Sequence, residues 1–199
     1  MALAINDKVL VEALGRAGRA PGLAAQAALV AAGIALLAVC AKISIPMWPV
    51  PVTMGTFAVL TLGAAYGPRL GLITILGYMI IGALGFDVFA GSSAEAAGLS
   101  YMLGGTGGYL VGYVLATLAL GWAARAGWDR SMGKMALALL IGNALIYVPG
   151  LLWLGQLYGW DKPILAWGLT PFLLGDALKL GLAALLVPQL WAMLGRARR

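Results

Sequence analysis

Residues 171–186 form an apolar run long enough to enter a membrane, yet they include an acid and a base three residues apart, Asp176 and Lys179. In a helix, positions i and i+3 share a face, so both side chains point the same way. At mid-bilayer each such residue costs about 2.5–3.5 kcal/mol on insertion scales. A helix carrying this pair must therefore turn it toward the inside of a bundle. Two readings follow: a functional site facing the bundle interior, or a structural ion pair that neutralises itself.

Composition settles the solvent. The chain has 199 residues, 62% of them hydrophobic and 10% charged, with a mean hydropathy of +0.96. Soluble domains carry about 25% charged residues, so this composition reads as an all-α integral membrane protein. The spans nearly consume the length, giving one membrane domain over 1–199 with no separate soluble domain. The one cysteine, Cys40, lies inside an apolar run, and the absence of histidine removes imidazole proton relays and most zinc chemistry. The segment 1–20 is expected to be a short cytoplasmic or interfacial helix rather than a removable signal.

Six spans follow along 21–194. Span one covers 23–41, with Ala24, Ala28 and Ala32 at four-residue spacing on a face that another helix can approach closely. The connection 45–53 holds Pro46, Pro49 and Pro51, which exclude a regular helix; its apolar character suggests a loop folded over something. Spans two (53–66) and three (70–84) are short and flank Gly67-Pro68-Arg69, which suits a helical hairpin. A second long connection, 85–99, contains no Lys or Arg. Span four ends near 124. Span five covers 135–154, with Asn143 and Tyr147 on one face and Pro149-Gly150 expected to bend it. Span six covers 171–193.

The charge distribution orients this arrangement. Lys8, Arg16, Arg19, Arg69, Arg125, Arg130, Lys134, Arg196, Arg198 and Arg199 fall on the side of the termini, while only Lys42 and Lys162 fall opposite. By the positive-inside rule the N- and C-termini are cytoplasmic. The net charge of +6 thus reads as membrane topology and not as nucleic-acid binding. Asp176 and Lys179 then lie in the outer half of span six, on the same side as connections 45–53 and 85–99.

No Walker A pattern is present, so ATP hydrolysis by this chain is not expected. Gly104-Gly105-Thr106-Gly107-Gly108 lacks the flanking strand and Lys-Ser/Thr of a phosphate loop, and is read as a place for close approach. Asn143 is read as interhelical glue. A carboxylate accepts N–H donors and an ammonium donates to carbonyl or carboxylate oxygens, so a small ligand with both functions could bridge Asp176 and Lys179. Trp48, Phe86, Phe89 and Tyr109 are candidates for an aromatic wall.

The ordered set Ile45-Pro46, Pro49-Val50-Pro51-Val52-Thr53, Tyr66-Gly67-Pro68-Arg69, Val88-Phe89-Ala90-Gly91, Gly104 to Gly112, Ile146-Tyr147 and Gly175-Asp176 with Lys179 resembles the BioY family. These are biotin-binding S components of energy-coupling factor (ECF) transporters. The resemblance implies a six-helix S-component-like bundle that binds biotin near its outer face and has no enzymatic reaction or cofactor of its own. It implies Asp176, Lys179, Tyr109, Ser93 and Tyr147 as substrate-binding residues. Asp176 would take the ureido N–H groups, and Lys179 either the ureido carbonyl or the valerate carboxylate. It also implies that Ala24, Ala28 and Ala32 dock a transmembrane coupling (T) component, with two ATPase subunits supplying energy, in the cell (inner or plasma) membrane of a prokaryote. No metal or nucleic acid is implied, and a homo-oligomer remains open. The chain departs from the family at Phe86-Asp87, where many members carry Leu-Pro, which places an extra acid near the entrance.

Alternative readings are an S component for another vitamin, a small proton-coupled transporter using Asp176 as proton carrier, and an intramembrane enzyme using Lys179 as base.

Overall fold

The computed structural model describes residues 8–14, 21–91 and 97–197, with side chains through 194. The elements are α1 (Leu10–Leu14), α2 (Leu23–Lys42), β1 (Ser44–Ile45), β2 (Val52–Thr53), α3 (Gly55–Ala83), α4 (Gly98–Met102), α5 (Gly107–Arg125), α6 (Met132–Tyr158), α7 (Ile164–Gly168) and α8 (Thr170–Ala197). Among the described residues, five helical stretches are long and apolar enough to cross a membrane: α2, α3, α5, α6 and the stretch Ile164–Leu194.

The sequence reading divides α3 at Gly67-Pro68-Arg69, and the backbone turns there. Gly67 leaves helical geometry at φ 76°, ψ 177°, a region open essentially to glycine alone. Beyond it the chain folds back. A Cβ built on Gly71 would lie 3.7 Å from the Cα of Gly63, although a straight helix separates residues eight apart by about 12 Å. The arms 55–66 and 68–83 therefore lie side by side.

Small residues bring α5 and α6 together. A Cβ on Gly108 would meet the carbonyl of Pro149 at 2.3 Å, and one on Gly112 would meet the Cα of Ile146 at 2.6 Å. The glycine-rich run thus serves close helix packing, as its lack of phosphate-loop context suggests. α6 continues through Pro149 to Tyr158, beyond the expected end of span five.

Connection 45–53 is non-helical, as its prolines require, and its ends are extended and pair as antiparallel strands, Ser44 with Thr53 and Ile45 with Val52. The N-terminal helix packs on the bundle. Val9, Leu10 and Ala13 are buried, and Val9 fills the notch that Gly67 leaves, where a Cβ would approach its Cγ1 to 2.9 Å. Arg125 holds Glu12 at 2.8 Å, and Arg130 donates to the carbonyl of Lys8 at 3.0 Å. Nearby, Asp129 is fully buried beneath α8. Its Oδ2 accepts from Trp191 Nε1 at 2.6 Å, and Arg130 lies 4.5 Å over the Trp191 ring.

A candidate ligand cavity backed by a buried ion pair

The strand hairpin, the loop before α4 and the ends of α2, α3, α5, α6 and α8 surround a cavity that is partly open to solvent. Its wall is aromatic. Phe89 stacks on Tyr101 at 5.0 Å and meets Tyr78 edge-on at 5.2 Å, while Tyr109 lies 6.5 Å from Phe172 and 6.2 Å from Tyr147. Several of these hydroxyls are already engaged. Tyr78 donates to the carbonyl of Val88 at 3.0 Å and Tyr109 to that of Gly168 at 2.7 Å. Tyr109 therefore offers the cavity its ring. Of the expected wall, Phe89 and Tyr109 line the cavity. Trp48 and Phe86 are exposed instead; Trp48 packs at the hairpin tip against Tyr158 and Trp167, at 5.3 and 5.0 Å.

Asp176 and Lys179 do not line this cavity. They sit directly behind it, 4% exposed in the case of Asp176, and their partners form its wall. Lys179 Nζ donates to Asp176 Oδ1 at 2.9 Å, to Thr56 Oγ1 at 3.2 Å and to the carbonyl of Thr53 at 2.6 Å. Asp176 also accepts from the Thr56 hydroxyl at 3.2 Å and from Tyr147. The ammonium thus has all three donors engaged, and the carboxylate has three of about four acceptor positions filled. The pair is thus self-satisfied, with one acceptor position left on Asp176 Oδ2 beside Tyr147.

Thr53, Thr56, Tyr78, Tyr101, Tyr113 and Phe172 are cavity residues that sequence reasoning did not single out. Tyr109 and Tyr113 share a helix face at i, i+4, so part of the signal was present. Asp87 is not simply solvated: Lys42, at the end of α2, pairs with it and donates to the carbonyl of Phe89 at 2.7 Å. That clamp holds Phe89 against the cavity. Ser93 lies outside the described residues. Ala24, Ala28 and Ala32 are exposed along α2.

Residues 12–196 match the model of the BioY family. The chain belongs to the BioY family. Among similar BioY proteins, a probable biotin transporter BioY of Pyrococcus horikoshii is 38% identical over 168 residues, covering 84% of this chain and 96% of the relative. The biotin transporter BioY of Thermotoga maritima is 33% identical over 164 residues, covering 81% and 94%. A crystal structure of the S-component for biotin from an ECF-type ABC transporter superposes with a TM-score of 0.70. At 21% identity, over 87% of this chain and 95% of that one, this likeness speaks to the fold alone.

Proposed function

We propose that the chain is the biotin-capturing S component of an ECF uptake transporter. The observation that carries the reading is a satisfied Asp176–Lys179 pair placed behind an aromatic cavity, in a chain of the BioY family. The cavity walls suit an apolar ring system and chain. The ion pair suits a head that both donates and accepts hydrogen bonds, as a ureido group does. Asp176 receives the ureido N–H groups, with Tyr147 beside it, and Lys179 serves an oxygen of the ligand. Tyr109 provides ring contact, and Ser93 a further polar contact.

In the same proposal the two arms of α3 cross separately, so α2, both arms, α5, α6 and α8 make six spans with cytoplasmic termini. The contacts of Arg125 and Arg130 with residues 8–12 support that sidedness, since the basic ends gather with the N-terminal segment. Ala24, Ala28 and Ala32 form the face for the T component, and two ATPase subunits act through it. The setting is a prokaryotic cell membrane.

Titration of the purified chain with labelled biotin, without ATP or an ion gradient, tests the reading. Saturable binding that Asp176→Asn with Lys179→Met removes is expected. Absence of binding, or binding indifferent to both changes together, would overturn it.

A further inference from the structure

Behind the cavity one polar group stands outside the hydrogen-bond network. Asn143 lies on α6, one turn before Tyr147; its side chain is buried, and its Oδ1 has no hydrogen-bond partner among the described residues. It shares a narrow cleft with Thr56, Asp176 and Lys179, otherwise walled by apolar side chains of α3, α6 and α8. α6 and α8 run antiparallel with Tyr147 against Asp176, so Asn143 lies one turn deeper, at the level of Lys179. The side chains in that cleft that carry hydrogen-bond donors besides Asn143 are those of Thr56 and Lys179.

Both are committed elsewhere. Lys179 bonds Thr53, Thr56 and Asp176, and the Thr56 hydroxyl bonds Asp176. A ligand N–H directed at Asp176 Oδ1 competes with Thr56 and Lys179, which both donate to that oxygen. Whichever of Thr56 and Lys179 is displaced requires another acceptor, and the open one in the shared cleft is Asn143 Oδ1.

We propose that Asn143 is a positioning residue of the ligand-bound state, accepting the donor that ligand binding displaces from Asp176. The inference rests on the reading that Asp176 receives the ligand's N–H groups, and it extends that reading to the rearrangement binding requires. It gives Asn143 opposite roles in two states: an unpaired, unfavourable carbonyl when free, and a satisfied acceptor when bound.

The test compares labelled-biotin affinity and ligand-free thermal unfolding for the wild-type chain, Asn143→Leu and Asn143→Asp. Leucine removes the unpaired carbonyl, so the ligand-free melting temperature should hold or rise while affinity falls about tenfold. Aspartate keeps an oxygen at that position in either protonation state and should retain binding. Combined with the variant that removes the displaced donor, either Lys179→Met or Thr56→Val, Asn143→Leu should weaken binding no further than that variant alone, and additive losses in both combinations overturn the inference. Wild-type affinity in Asn143→Leu overturns the inference, as does a parallel loss of stability and affinity, which would make the amide structural. Failure of the wild-type chain itself to bind biotin instead overturns the functional reading, and this inference with it.

Discussion

The ammonium of Lys179 donates to the backbone carbonyl of Thr53 at 2.6 Å, tying the last helix to the strand that covers the cavity. The same ammonium neutralises Asp176. Cover and buried charge are thus one unit, and any ligand that engages the ion pair acts on the cover as well.

Removing one member of that pair should cost more than removing both. Lys179→Met leaves Asp176 buried without its counter-charge, a loss of about 3–5 kcal/mol in comparable buried pairs. Adding Asp176→Asn should restore much of it. Thermal unfolding of the purified variants measures the difference; equal stability of the single and double variants would count against a coupled pair.

The chain reversal within α3 should depend on Gly67. Gly67→Ala places a Cβ at φ 76° and against Val9, with an expected cost of about 1–3 kcal/mol. Shortening Val9 to Ala should relieve the contact but not the backbone strain. The double variant is therefore expected to remain less stable than Val9→Ala alone in the same unfolding assay.

Asp129 should make stability depend on pH. Burial, only partly offset by the Trp191 hydrogen bond and Arg130, raises its pKa to about 6. The folded state then holds a proton more tightly than the unfolded chain. This contribution is fully present below the ordinary aspartate pKa near 4 and is lost as pH rises through about 6. Asp129→Asn should remove that slope, so the melting temperature of the variant should gain on the wild type between pH 4.5 and pH 7.5. A constant difference across the range would contradict the assignment.

Lys42 should govern how long a captured ligand stays. It clamps the loop that carries Phe89 through Asp87 and the Phe89 carbonyl. Lys42→Met should speed biotin dissociation several-fold, consistent with about 1 kcal/mol per lost hydrogen bond. Asp87→Asn should do less, because an exposed ion pair contributes little. Washout of bound labelled biotin reads both rates.

Much of the architecture was legible from local chemistry. Gly67-Pro68-Arg69 marked the reversal inside α3, and three prolines marked the non-helical cover, although strand pairing between residues 44–45 and 52–53 was not anticipated. Asp176 and Lys179 stood out because ionisable groups are rare in apolar helices. The hydroxyls of Thr53, Thr56 and Tyr113 did not, since such residues are common in spans and matter only where the helices cross. The docking of Val9 against Gly67 was equally hidden: each residue is ordinary until the other is beside it.

By itself, then, the sequence determined the solvent, the helical class and a same-face acid–base pair that had to point inward, because these follow from hydropathy, period and the cost of buried charge. Only the tertiary structure decided how that pair is used. It closes on itself behind Thr56 and Tyr147, under a cover held by Lys179 and Lys42, with Asn143 left as the open acceptor. Those choices join residues as far apart as Thr53 and Lys179, and partners at that separation are selected by packing, which no local pattern records.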